Sequence, residues 1–223
     1  MSDEERPGAE HWVPLGAGLE QLRAAATDCH GCELHRPATQ VVFSAGSPSA
    51  RLALVGEQPG DAEDRAGQPF VGPAGQLLDR ALADAGIDRA DTYVTNAVKH
   101  FRFTPTANRR LHQTPDLVHL VACRPWLAAE LAVVDPQVVV CLGASAARSL
   151  LGPSFRVTRQ RGRLFPRQPR PPADKDPSAV RGGWLMGTVH PSAVLRTPRG
   201  EAHDAAYTAL VTDLRIAAGA LVA

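Results

Sequence analysis

Arg51-Leu52-Ala53-Leu54-Val55-Gly56-Glu57-Gln58-Pro59-Gly60-Asp61 reads as a buried strand that runs straight into a tight turn. Its apolar residues are consecutive rather than alternating, so both faces of the strand must be covered. Gln137-Val138-Val139-Val140-Cys141-Leu142 has the same character, and Gly143 after it opens a helix over Ala144–Leu151. Thr92–Val98 and Trp184–Val189 read as two further strands. Helical spacing is expected over Gly18–Thr27, over Gly75–Ala85 (Leu77, Leu78, Ala81, Leu82), over Asp116–Val134 (Leu117, Leu120, Val121, Trp126, Leu127) and over His203–Leu221. Phe155–Phe165 alternates as a hairpin does, and Arg167–Gly183, rich in Pro, Gly and charge, reads as a loop. Apolar strands interleaved with helices predict an α/β fold with a parallel sheet covered on both faces. Ligands of such sheets gather at the carboxyl ends of the strands, where this chain places Glu57, Gln58, Asn96, His190 and Ser192.

A chain of 223 residues with 44% hydrophobic content is long enough for one sizeable core, so a single domain over 18–223 is expected, preceded by a flexible tail over 1–17. No uninterrupted apolar run is expected to span a membrane, and no charged-then-apolar leader opens the chain. Four cysteines in a chain this long do not suggest a secreted disulfide framework, which points to reduced thiols and a cytoplasmic setting. A net charge of +1 predicts no polyanion partner in bulk. Local charge does: Arg102, Arg109 and Arg110 cluster in one loop, and Arg156, Arg159, Arg161, Arg163 and Arg167 in another segment.

Several constellations carry chemistry. In Gly56-Glu57-Gln58-Pro59-Gly60 the glycines and proline permit close backbone approach to a ligand, and Glu57 is placed as a base or electrostatic stabiliser. No Gly-Lys-Ser/Thr follows, so this is not a phosphate-binding Walker loop. Gly67–Gly75 is glycine-rich, precedes a helix and presents Phe70, which can stack on a base or plug the core. Cys29-His30-Gly31-Cys32 is half of a metal site; Cys123 and His100 can complete it, while Cys141, in the middle of an apolar strand, reads as a buried structural thiol. Zinc, an iron–sulfur cluster and a metal-free redox pair all fit that donor set. His190-Pro191-Ser192 leaves a strand with a histidine able to donate to a ligand carbonyl. The basic stretch Asn96–His112, with Phe101 and Phe103 inside it, carries more charge and aromatic character than a connection needs.

Taken in order, Gly56–Gly60, Pro69–Gly75, Tyr93–His100, Ala122-Cys123-Arg124-Pro125-Trp126 and His190–Ser192 resemble the uracil-DNA glycosylase superfamily, most closely family 4 and its X-type branch. The resemblance runs from the Cys pair to the closing helix. It implies a three-layer α/β/α sandwich around a four-stranded parallel sheet, and a [4Fe–4S] cluster. Family 4 has cysteine where this chain has His100; the X-type branch has histidine, which gives Cys29, Cys32, His100 and Cys123 as the implied ligands. The branch also carries an inserted basic loop ending Arg-Arg-Ile-His, here Arg109-Arg110-Leu111-His112 with leucine for isoleucine. The resemblance makes His112 the residue that becomes joined to the sugar after uracil leaves.

The roles expected from this are specific. Phe70 stacks on a flipped uracil, Asn96 and Gln58 contact its polar edge, and His190 stabilises the departing anion. Glu57 stabilises the oxocarbenium-like sugar, and His112 attacks it. Arg109, Arg110 and Ser192 are expected to contact DNA, with Arg109 and Arg110 holding the loop against phosphate or a carboxylate. The expected partner is uracil-containing DNA, single-stranded or with the base flipped out; no membrane partner is expected, and the protein is expected to act as a monomer in the bacterial cytoplasm, on the nucleoid when at work. Two rivals are a conventional multiple-turnover family 4 enzyme, in which His112 is only a DNA contact, and a non-enzymatic DNA-binding or metal-storage module that kept the fold.

Overall fold

The computed structural model describes residues 7–167 and 182–221. After helix α1 (Leu19–Ala26), the chain forms β1 (Ser44–Gly46), β2 (Leu52–Gly56), α2 (Asp61–Ala66), α3 (Pro73–Asp84) and β3 (Thr92–Asn96). A small hairpin of β4 (Phe103–Pro105) and β5 (Arg110–His112) precedes the long α4 (Leu117–Val134). Then come β6 (Val138–Leu142), α5 (Ala144–Leu151), α6 (Val157–Gln160), β7 (Leu164–Arg167), β8 (Gly183–Thr188), α7 (Pro191–Arg196) and α8 (Glu201–Gly219).

The main sheet has six strands in the order β1-β3-β2-β6-β8-β7. Its middle is the expected parallel set, β3-β2-β6-β8. The two edges, β1 on β3 and β7 on β8, are antiparallel additions to that set. Successive residues of each central strand feed opposite layers. Leu52, Leu54, Val138, Val140 and Leu142 pack with Leu77, Leu78, Leu82, Leu210 and Leu214 of α3 and α8. Ala53, Val55, Val139 and Cys141 pack with Leu22, Trp126, Leu127 and Ala146 of α1, α4 and α5. This is why the strands read as continuous apolar runs.

Some expectations need correction. Phe155–Phe165 is not a hairpin: residues 157–160 are helical, and β7 pairs with β8 instead. The alternation came from Phe155 and Phe165, which meet edge to face at 5.9 Å between ring centroids. The stretch expected as a loose tail is seated from Gly8 onward, with Gly8 N–H donating to Gly31 O and Ala9 N–H to Ala122 O at 2.9 Å. Helix α4 does have the length and apolarity of a membrane span, but half of it is buried within the protein. The core of the expected 167–183 loop lies outside the described residues.

Strand order explains where the site forms. The chain leaves β2 to one side for β3 and returns on the other side for β6. The crevice above the carboxyl ends at such a reversal is open to a ligand.

Candidate active site

A cavity of about 670 Å³ opens there, lined by Glu57, Phe70, Asn96, His112, Gly143 and His190 among others. That volume suits one flat heterocycle with its sugar. Three of the strand ends bring Glu57, Asn96 and His190 together as the sequence indicated.

Asn96 is 1% exposed, and its side-chain Oδ1 has no hydrogen-bond partner. A buried acceptor left open costs about 1–3 kcal/mol, a cost that a ligand N–H can relieve. Gly56 lies beside Asn96 in the sheet register. A Cβ on Gly56 would stand 2.2 Å from Asn96 Oδ1 and 2.6 Å from the Phe70 ring. Only glycine leaves both groups their places. From behind, the buried Lys99 ammonium donates to Asn96 O at 2.9 Å and to Thr95 Oγ1, and is paired with Glu130. Tyr93 and Thr95 hydroxyls complete the carboxylate's partners. This satisfied network fixes the strand end that carries Asn96.

Phe70 has a left-handed backbone, φ 57°, which is rare for an aromatic residue and costs about 1–3 kcal/mol. Its ring is buried and stands 6.1 Å from the His190 ring, tilted by 30°. His190 caps α7, and its Nδ1 accepts from Ser192 N–H at 3.1 Å. With Nδ1 occupied as an acceptor, the neutral ring carries its proton on Nε2. Burial, reinforced by Arg196 and His112, pushes His190 down to about 4, so the ring is neutral at physiological pH. Ser192, expected on DNA, instead turns its hydroxyl to His190 Nδ1 at 2.8 Å and receives Arg196 Nη1–H at 3.1 Å.

The β4–β5 hairpin brings His112 over the same cavity. Its side chain is half exposed, with Nε2 3.5 Å from Glu57 Oε1, too long for a hydrogen bond. Burial holds the imidazole below its ordinary value; Glu57 opposes that shift and Arg196 adds to it. Gln58 was expected to contact uracil, but its amide belongs to this loop. Gln58 Oε1 accepts Arg102 N–H at 3.0 Å, and Nε2 faces Arg102 O, Gln113 O and His112 Nε2. The backbone partners fix the amide's direction, so its Nε2 lies 3.0 Å from His112 Nε2 and holds the imidazole at the edge of the cavity. Gln58 still lines the cavity, but of the two amides it is Asn96 that keeps an open acceptor there.

Arg110 also departs from expectation. Its side chain is largely buried, bound to Asp61 and at 2.6 Å to Asp64, and lies 5.4 and 4.9 Å above the Phe101 and Phe103 rings. It ties the hairpin to α2, the carboxylate alternative of its expected role, and is not presented to phosphate. Arg109 is exposed, with its backbone engaged by Thr106.

Sequence reasoning passed over Glu63, Ser145 and Arg196. Glu63 accepts from Gly60 N–H at 3.1 Å and Gly72 N–H at 2.7 Å, clipping the two glycine-rich loops together. Its position three residues after Gly60, at the start of a helix, is the acidic half of a capping box and was legible, although glycine supplies no side chain for the other half. Ser145 donates to Glu57 Oε2. Arg196 lines the cavity and is exposed.

Cys29, Cys32, Cys123 and His100 are all buried. Trp126 Nε1–H donates to Cys29 Sγ at 3.2 Å and Lys99 N–H to Cys123 Sγ at 3.3 Å. Burial, with Cys32 and Cys29 adding to it and Lys99 opposing, pushes the Cys123 thiol up to about 12. Among the described residues no three His, Cys, Asp or Glu side chains converge as one small ion requires. Three thiols, close enough for Cys29 and Cys32 to act on Cys123, and one imidazole are a soft donor set of the kind that zinc and iron–sulfur groups both use. Cys141 is buried in β6, on the face toward α4 and α5, as expected of a structural thiol.

Residues 43–215 match the model of the uracil DNA glycosylase superfamily. The chain is similar to the type-4 uracil-DNA glycosylase of Thermotoga maritima, 37% identical over 184 residues that cover 82% of this chain and 86% of the relative. It is 34% identical to the type-4 enzyme of Pyrobaculum aerophilum, covering 82% and 88%, and 34% identical to that of Archaeoglobus fulgidus, covering 81% and 85%.

Proposed function

The chain belongs to the uracil-DNA glycosylase superfamily, and from that premise we propose that it excises uracil from DNA and then captures the abasic sugar on His112. The observation that carries the second half is His112 Nε2 in one cavity with Asn96, Phe70 and His190, 3.5 Å from Glu57 Oε1.

A target nucleotide leaves the stack at a cost of a few kcal/mol in duplex and less in single strands. Phe70 stacks on the base, and the open Asn96 Oδ1 accepts the uracil imide N–H, which cytosine lacks. The neutral His190 donates Nε2–H to a uracil carbonyl oxygen as negative charge builds there. The C1′–N1 bond breaks with its electron pair going to uracil. Glu57 Oε1 stabilises the cationic sugar. Once the sugar displaces the Gln58 amide from it, the His112 Nε2 lone pair forms a bond to C1′, and the Nδ1 proton passes to the departed uracil anion, leaving a neutral alkylated imidazole. An imidazole tethered here competes with water through its large effective molarity.

The conventional multiple-turnover reading fits the relatives equally well, since the base pocket is complete without His112. Cys29, Cys32, His100 and Cys123 would hold a [4Fe–4S] cluster that joins the Cys loop, the Lys99 segment and α4 into one unit. Iron content with a visible absorption band tests that assignment; a colourless protein of full activity refutes it.

The covalent reading is tested by mixing the protein with uracil-containing single-stranded DNA and running a denaturing gel. A slower band that survives heat and detergent is expected. Released uracil in molar excess over protein, with no such band, establishes the conventional enzyme instead.

A further inference from the structure

The two oxygens of the Glu57 carboxylate have different surroundings. Oε2 accepts a hydrogen bond from Ser145 Oγ–H, the one side-chain hydrogen bond that this carboxylate takes among the described residues. Oε1 faces the cavity, toward His112 Nε2. Ser145 is 9% exposed and is the second residue of α5. Gly143, with φ 91°, turns the chain out of β6 so that α5 begins directly beside the end of β2. The serine is thus held by helix and sheet, while Glu57 is a longer side chain that retains partial exposure.

We propose that Ser145 is a positioning residue for uracil excision: its hydroxyl occupies one carboxylate oxygen of Glu57 and thereby presents the other to the sugar. A glutamate without that restraint spreads over several rotamers, and charge stabilisation in a transition state depends on groups already in place. The hydroxyl is not offered as a nucleophile, because Ser145 is buried and does not line the cavity. The inference rests on the excision reading and is independent of whether His112 captures the sugar.

The test is single-turnover excision from uracil-containing single-stranded DNA by Ser145→Ala, Ser145→Thr and Glu57→Ala, with the Ser145→Ala/Glu57→Ala double variant. Ser145→Ala is expected to slow excision by roughly tenfold to a hundredfold, the loss of one hydrogen bond to a charged group, with DNA affinity unchanged. Ser145→Thr, which keeps the hydroxyl, restores most of the rate. In the Glu57→Ala background the serine has nothing to orient, so its removal adds no further loss. A rate for Ser145→Ala equal to wild type, a threonine variant as slow as alanine, or full additivity in the double variant each overturns the proposal. An alanine variant that melts at a lower temperature is judged by the double variant, since a folding defect persists without Glu57. Wild-type protein that excises but does not crosslink refutes the capture on His112 and leaves this inference intact; wild-type protein that does not excise refutes the excision reading itself.

Discussion

The sheet-end wall of the cavity and the hairpin facing it are built by different means. Asn96 and Phe70 are buried, and His190 is fixed by the helix that it caps. Backbone hydrogen bonds, a satisfied ionic network and close-packed glycines place them. His112 stands on a two-stranded hairpin, half exposed, and that hairpin is fastened to the rest mainly by the Gln58 amide and the Arg110 guanidinium. On the proposed reading, the contrast shows how a second chemical step is added to a base pocket: the groups proposed to read the base belong to the fold, whereas the group proposed to capture the sugar is an attachment.

The largest expected effects set the two walls against each other. His112→Ser should abolish the heat-stable band while uracil release continues; Asn96→Ala should lower release itself by about a hundredfold or more, as loss of a placed polar group at a reacting centre does. If His112→Ser stops release as completely as Asn96→Ala, the walls are not separable.

A smaller effect is expected at the fastening. Arg110→Ala leaves Asp64, which is fully buried, without its guanidinium. Breaking a buried pair from one side costs about 3–5 kcal/mol, so thermal melting should report a clear loss of stability, and capture should fall further than excision. Arg110→Lys, unable to fork between Asp61 and Asp64, should fall between wild type and alanine. An alanine variant that keeps its melting temperature and its capture yield would show that the hairpin is held otherwise.

The smallest effect is in pH. His112 titrates below its ordinary value near 6.5, so it is neutral at physiological pH and loses its lone pair as acid is added. Burial also holds His190 low, at about 4. The number of crosslinks per uracil released should therefore fall as the pH is lowered below 6.5. A ratio that stays constant down to the loss of release would break the link between His112 and capture.

Much of the sheet-end wall could be read from the chain itself. Apolar runs such as Val138–Leu142 have few alternatives to a covered parallel strand, and the polar residue after each run had to meet its neighbours at one edge. The hairpin wall was legible in its residues but not in their directions. Arginine looks the same in sequence whether it faces phosphate or a buried Asp64 in α2, and the pairing joins positions far apart in the chain. Gln58 poses the same difficulty, because an amide serves a ligand or a loop with the same atoms. The edge strands β1 and β7 escaped because Ser44–Gly46 is too short for periodicity and Leu164–Arg167 is adjoined by a short helix. Ser145 carried no motif at all.

Phe70 holds one more consequence, for heritable change. Its ring abuts Gly56, where a Cβ would approach it to 2.6 Å, and its carbonyl abuts Gly75, where a Cβ would approach to 1.8 Å. The three positions therefore behave as one character. A single codon change at either glycine displaces the ring, and Phe70→Gly would relax the left-handed backbone only by discarding the stacking surface. A lineage drifting toward a different base has no downhill first step among these three, so diversification of the pocket is channelled to other lining positions such as the half-buried Ala74.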